Sequence, residues 1–196
     1  MEFIKMNEVN HDIRLEMSKI FVDGFYVWLK YFTKNKAKLV KTFEHVFVDE
    51  VFYLAVEDGK ILSMAACTPK QRRAVKLSKK EFIKHLGFIR GQIAYMILHK
   101  EFEVKEYPLE IPNHMGKIEF VATAVEARGK GVAYGLLKHI IETTNYEEYV
   151  LEVASNNEKA IKLYTRLGFA EIKRIPQKNA KRSGFEYLLY MTLKKR

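Results

Sequence analysis

Cysteine, proline and tryptophan are scarce in this chain of 196 residues, with one, four and one respectively. A lone thiol, Cys67, forms no internal disulfide, so packing must hold the fold and a reducing, cytoplasmic setting is expected. It sits in the apolar run ILSMAAC without a His/Asn context, which predicts a buried, unreactive thiol. No apolar run nears the ~18 residues of a membrane span. The first residues, MEFIKMNEVN, lack the apolar core of a signal peptide. The six histidines are scattered and no Cys/His set has zinc spacing, so no metal site is expected. Neither G-x-x-x-x-G-K-[ST] nor G-x-G-x-x-G occurs, which argues against a P-loop NTPase and a Rossmann dinucleotide site. Internal repeats and low-complexity segments are absent too.

What is present is 48% hydrophobic residues, ample for one domain with an insertion, and a formal net charge of +10. Such a field suits an anionic ligand. The densest cationic run, KQRRAVKLSKK, places six cations in residues 70–80. It reads as a solvated loop. It lacks the interleaved aromatics that stack nucleobases, and no nucleic-acid-binding fold is visible.

The segment IEFVATAVEARGKGVA, residues 118–133, reads as a strand, a glycine-bearing turn and the start of an amphipathic helix. In the turn, Arg128-Gly129-Lys130-Gly131-Val132-Ala133, two glycines let backbone approach a ligand closely. The leading N–H groups of the helix are unpaired and its dipole is positive there, so an anion is favoured. With Arg128 and Lys130 added, the expected ligand is a phosphate or pyrophosphate. Val132, Leu136, Leu137, Ile140 and Ile141 form the stripe that this helix should bury.

A second block, LEVASNNEKAIKLYTRLGF, covers residues 151–169. Leu151 to Ala154 read as a strand. Asn156 or Asn157 caps a helix whose Ala160, Leu163, Tyr164 and Leu167 recur at i, i+3, i+4, i+7. Gly168 then ends it as a C′ glycine.

The turn, R-x-x-G-x-A, resembles the acyl-CoA pyrophosphate loop [QR]-x-x-G-x-[GA] of the GNAT superfamily of N-acyltransferases. The second block is similar to that family's N-x-x-A-x-x-L-Y-x-x-x-G-F, with Asn157, Ala160, Leu163, Tyr164, Gly168 and Phe169 in place. The resemblance is specific between residues 118 and 170. It implies transfer of an acetyl group from acetyl-CoA to an amine by direct attack. It also implies roles. Backbone of Val121, Ala122 and Thr123 would bind the pantetheine arm, and residues 128–133 the pyrophosphate. Asn157 would cap its helix or reach the pantetheine. Tyr164 would protonate the leaving thiolate, or else serve only as a core residue. Glu119 would deprotonate the amine, although Lys117 can take that slot, an ion-paired or solvent-facing glutamate is at least an equal reading, and ordered water or the inserted segment is an alternative source of the base. Alternation puts Glu119, Val121 and Thr123 on one face of the strand.

The order of elements fits the same family. A strand is expected at 2–6, helices at 11–32 and 35–47, and a hairpin of strands at 51–56 and 61–67 turning at Asp58-Gly59. The fold class is therefore α/β (α+β), a mixed, mostly antiparallel sheet flanked by helices. A departure follows, with about 70–115 reading as a helical insertion between the third and fourth strands. Its helix, Lys80 to Lys100, is apolar on most sides and so should be covered on most sides, by the domain, as a lid, or in a homodimer. Strands at 150–154, 169–174 and 185–193 complete the sheet, with a polar loop from Gln177 to Gly184.

The acceptor would be a small-molecule or peptide amine. The positive charge argues mildly against a polycation. The competing reading is a non-catalytic CoA-binding or nucleic-acid-associated module on the same fold. Tyr164 favours the enzyme, and the basic insert keeps the alternative open.

Overall fold

The computed structural model describes residues 1–177 and 184–195. Among these, seven strands form one sheet in the order β1-β2-β3-β4-β5-β7-β6. They are β1 (Glu2–Lys5), β2 (Phe52–Glu57), β3 (Lys60–Thr68), β4 (Met115–Thr123), β5 (Glu148–Ala154), β6 (Ala170–Pro176) and β7 (Tyr187–Lys194). Neighbours run antiparallel except β4 and β5, which are parallel. The expected mixed, mostly antiparallel architecture is the observed one. The expected polar loop from Gln177 lies largely outside the described residues.

Helices cover both faces of the sheet. They are α1 (Arg14–Leu29), α2 (Lys36–Phe43), α3 (Lys79–Leu86), α4 (Phe88–His99), α5 (Val132–Thr143) and α6 (Glu158–Leu167). α2 starts where expected, the Asn35 side chain accepting from the Lys38 amide, but it ends at Phe43 because the chain from Val46 to Val48 pairs instead with the segment around Val75. α1 lies against β4, where a Cβ at Gly24 would stand 3.0 Å from that of Ala122. Met17 and Phe21 of α1 are fully buried on that face. α5 covers the opposite face, where His139 stacks on Phe3 at 5.3 Å. Its stripe is buried at Val132, Leu136, Leu137 and Ile140 and half-buried at Ile141. Among the described residues no helix is long and apolar enough to cross a membrane.

Between β3 and β4 the chain forms α3, α4 and a π-helical turn, Lys100–Val104. One helix was expected from Lys80 to Lys100, but two form. Gly87 breaks it with φ 85° and ψ 162°, a region open essentially to glycine alone. α4 then folds back onto α3. A Cβ at Gly91 would stand 2.6 Å from both the Ile83 Cα and the Phe82 carbonyl oxygen, so only glycine allows this approach. The expected full coverage is not met within this chain. Phe88, Ile89, Ile93 and Met96 are between 47% and 75% exposed.

The α3–α4 crossing yields a first prediction. Gly91→Val should destabilise the fold by about 2–3 kcal/mol through overpacking. That corresponds to a loss of roughly 5–10 °C in Tm for a chain of this size. An unchanged melting curve would show that the helices do not meet at this residue.

Candidate active site

β4 and β5 are paired only at Met115↔Glu148, Gly116↔Tyr149 and Lys117↔Val150. Beyond Lys117 they part, while β4 stays on β3 as far as Ser63↔Thr123. The edge of β4 from Ile118 to Thr123 therefore has no strand partner toward β5. Such an edge can take an extended ligand as an added strand. The expected pantetheine contacts Val121, Ala122 and Thr123 all lie on it.

The parting coincides with a bulge. Between the pairs Met64↔Ala122 and Ala66↔Glu119, β3 has the single residue Ala65 while β4 has Phe120 and Val121. Phe120 takes φ 54°, a left-handed conformation that costs an L-residue about 1–2 kcal/mol. Its ring packs against Phe21, Phe25 and Phe102 at centroid distances of 5.8, 6.1 and 5.2 Å. The extra residue also reverses the alternation. Glu119 shares a face with Ala66, whereas Thr123 shares the other with Ser63, and the Ser63 and Thr123 hydroxyls lie 3.0 Å apart. The expected common face for Glu119, Val121 and Thr123 is therefore corrected, because it assumed an unbroken strand.

At the open end lies the glycine turn. Gly129 and Gly131 have φ 76° and 78°, so the turn itself requires glycine. Gly131 is the N-cap of α5 and no side chain caps the helix. Arg128, Gly129, Lys130 and Gly131 are exposed, Ala133 is half-buried and Val132 is buried. Arg128 is partly committed. Its Nε donates to the Thr123 carbonyl at 3.1 Å and its Nη2 to the Asp23 carbonyl at 3.4 Å. It thus ties the turn to β4 and α1. Lys130 has no hydrogen-bond or ion-pair partner among the described residues.

Two carboxylates flank the point where the strands part. Glu119 and Glu152 each lie two residues beyond the last β4–β5 pair, on one face of the sheet. Glu119 accepts from Thr68 Oγ1 at 2.5 Å and stands 3.9 Å from Lys117 Nζ. Burial raises its pKa against the pull of Lys117 and Thr68. Lys117 is 2% exposed and donates to the Arg72 carbonyl at 3.1 Å, and burial lowers its pKa. Glu152 accepts from Lys105 Nζ at 3.2 and 3.3 Å through its two oxygens. Lys105 also donates to Glu101 at 2.6 Å. Burial would lower the Lys105 pKa, but the two carboxylates outweigh it and raise it.

Tyrosines complete the site. Tyr107 meets Tyr190 edge-on at 5.6 Å, and Tyr190 pairs with Glu152 across β5 and β7. Burial raises the Tyr107 pKa, reinforced by the charges of Glu119 and Glu152 and by Tyr164. Tyr164 on α6 is 7% exposed, with its ring edge-on to Phe169 at 6.1 Å. Burial raises its pKa, so it keeps its proton at neutral pH and can donate it. Asn157 is used as a cap, its Oδ1 accepting from the Ala160 amide at 3.3 Å. Gly168, at φ 101°, ends α6.

Sequence reasoning missed Glu152, Lys105 and Tyr107. Glu152 carried a signal, as the one polar residue in the apolar strand LEVA. Lys105 and Tyr107 carried none, because only the path of the insertion brings them here. Nor is the basic run a free loop. Arg73 donates to the Lys105 carbonyl at 3.5 Å, and the Lys76 amide donates to the Val46 carbonyl at 2.8 Å.

A parallel strand pair that parts beside an uncapped helix N-terminus is an arrangement that can accept an extended ligand with an anionic end. The model of the acetyltransferase (GNAT) family matches residues 16–169, and the chain belongs to that family. It is 42% identical over 50 residues to the 5-NmdU N-acetyltransferase of Pseudomonas phage PaMx11, covering 26% of this chain and 36% of that protein. It is 34% identical over 79 residues to N-alpha-acetyltransferase 30 of Schizosaccharomyces pombe, covering 38% of this chain and 53% of that protein. The chain thus matches about half or less of these relatives. Its fold resembles that of an N-acetyltransferase from Staphylococcus aureus Mu50, with TM-score 0.65 and 15% identity over 98% of this chain and 100% of that one.

The one thiol lies apart from this site. Cys67 lines a separate groove of about 850 Å³ with Phe3, Lys5, Tyr53, Arg72 and Tyr146. Burial pushes its pKa to about 12. Iodoacetamide at pH 8 should therefore leave Cys67 unmodified in the folded chain and alkylate it after unfolding. Rapid alkylation of the native protein would contradict its burial.

Proposed function

We propose that this protein is an acetyl-CoA-dependent N-acetyltransferase acting on a primary amine. The observation that carries the reading is the parted β4–β5 pair, with an uncapped helix N-terminus at its open end and carboxylates and Tyr164 toward its closed end. The pyrophosphate of acetyl-CoA sits in the turn formed by Arg128, Gly129, Lys130, Gly131, Val132 and Ala133. Its pantetheine arm lies along the free edge at Val121, Ala122 and Thr123, which brings the thioester to the carboxylates.

The acceptor arrives as an ammonium and must lose a proton before it can attack. Glu119, whose pKa burial raises beside Thr68 and Lys117, and Glu152, whose two oxygens hold the Lys105 ammonium, are the two candidates. The amine nitrogen attacks the thioester carbonyl, the N–C bond forms and the C–S bond breaks. Backbone N–H groups on the free edge of β4 stabilise the developing oxyanion. Tyr164 protonates the departing thiolate. Asn157 serves this site by holding the start of α6, and therefore Tyr164, in place. The named relatives point to different acceptors, 5-NmdU in one case and an N-alpha position in the other. The acceptor class is left at an amine.

Two variants test these roles. Gly131→Leu should weaken acetyl-CoA binding about 5–30-fold, because relieving the strain of about 1–2 kcal/mol that an L-residue suffers at this φ moves the amides that face the anion. Its circular dichroism should stay native, and unchanged affinity would refute the turn as the anion site. Tyr164→Phe should lower kcat roughly 10²-fold, the size of a general-acid contribution, with acetyl-CoA affinity within about twofold. An unaffected kcat under rate-limiting chemistry would return Tyr164 to a packing role.

A further inference from the structure

The insertion carries an amine of its own into the site. Lys105 follows the π-helical turn, and its backbone is fixed at both ends. Its amide donates to the Lys100 carbonyl at 2.8 Å, and its carbonyl accepts from Arg73 Nη1 at 3.5 Å. Its ammonium is held by three carboxylate oxygens, one from Glu101 and two from Glu152. Only 27% of its side chain is exposed, against 52–61% for the surface lysines Lys36, Lys41, Lys84 and Lys138 that also pair with acids. Glu152 is two residues past Val150, where β4 and β5 separate. A primary ammonium thus rests on the carboxylate at the closed end of the cleft, where an acceptor would have to give up its proton.

We propose that Lys105 is an intramolecular acceptor, acetylated in cis when acetyl-CoA binds before another amine has displaced it. The inference rests on the acetyl-transfer reading above. The step balances within the groups named. Glu152 takes one proton from the Lys105 ammonium. The free amine attacks the thioester carbonyl, an amide N–C bond forms and the C–S bond breaks. Tyr164 gives its proton to the thiolate and is restored by the second amine proton. The products are Nε-acetyl-Lys105 and CoA. Acetylation removes the one cation held jointly by Glu101 and Glu152, leaving both carboxylates to an incoming ammonium.

The test uses the purified full chain and acetyl-CoA, with no added amine. Intact mass and peptide mapping follow acetylation across about a tenfold range of protein concentration, alongside calorimetric binding of acetyl-CoA. The expected result is one acetyl group per chain at Lys105. Its first-order rate should be independent of protein concentration and at least about tenfold above that of any other lysine. Glu152→Gln should slow that modification about tenfold or more while still binding acetyl-CoA, and Lys105→Arg should leave no preferred site. If acetyl-CoA binds and Lys105 stays unmodified, the inference falls and the transferase reading stands. Acetylation spread over exposed lysines, or scaling with protein concentration, also overturns it. If a folded sample does not bind acetyl-CoA, both fall.

Discussion

The early end of β4–β5 pairing is the constraint on which the site depends. Two parallel strands would normally continue their ladder, and a continued ladder would leave no cleft. Here the bulge at Phe120 bends β4 away from β5 within a few residues of their last pair. The left-handed Phe120 backbone is unfavourable, so the surroundings must hold it. Three aromatic rings do so, Phe21 and Phe25 from α1 and Phe102 from the π-helical turn. Aromatic pairs contribute about 0.5–1.5 kcal/mol each beyond area burial, enough together to offset the strain.

That arrangement joins the insertion to the cleft. Phe102 braces the bulge, Lys105 meets Glu152 and Tyr107 meets Tyr190. The insertion therefore packs against the parted strands rather than standing off as an appendage. Gly87 and Gly91 let the preceding helices fold back compactly, which returns the chain to the sheet at the height of the carboxylates. The same segment leaves an apolar stripe on α4 facing outward. Its packing duty to the domain is met by the opposite side, through Ala94 and Leu98.

Much of this was legible in the sequence, and the limits have physical causes. The turn at 128–133 and the helix from Asn157 to Gly168 are set by local chemistry, glycine conformations and caps, and both were read correctly. The mixed, mostly antiparallel sheet followed from the family resemblance that the same motifs carry. The parity of β4 was not readable, because a bulge held by distant aromatics leaves no local mark, and Phe120 is an ordinary strand residue by composition. The break at Gly87 was hidden inside an apolar pattern that runs across it. Glu152 and Lys105 are 47 residues apart in the chain and become partners only through the route of the insertion.

A cleft open to an anionic, thioester-bearing ligand is the central claim, and direct titration tests it. Acetyl-CoA should bind the purified protein calorimetrically at one site per chain. Desulfo-CoA should bind there too, since it keeps the pyrophosphate and pantetheine, whereas ATP should bind far more weakly. No heat and no shift in melting temperature from acetyl-CoA, with a folded sample, would contradict the account.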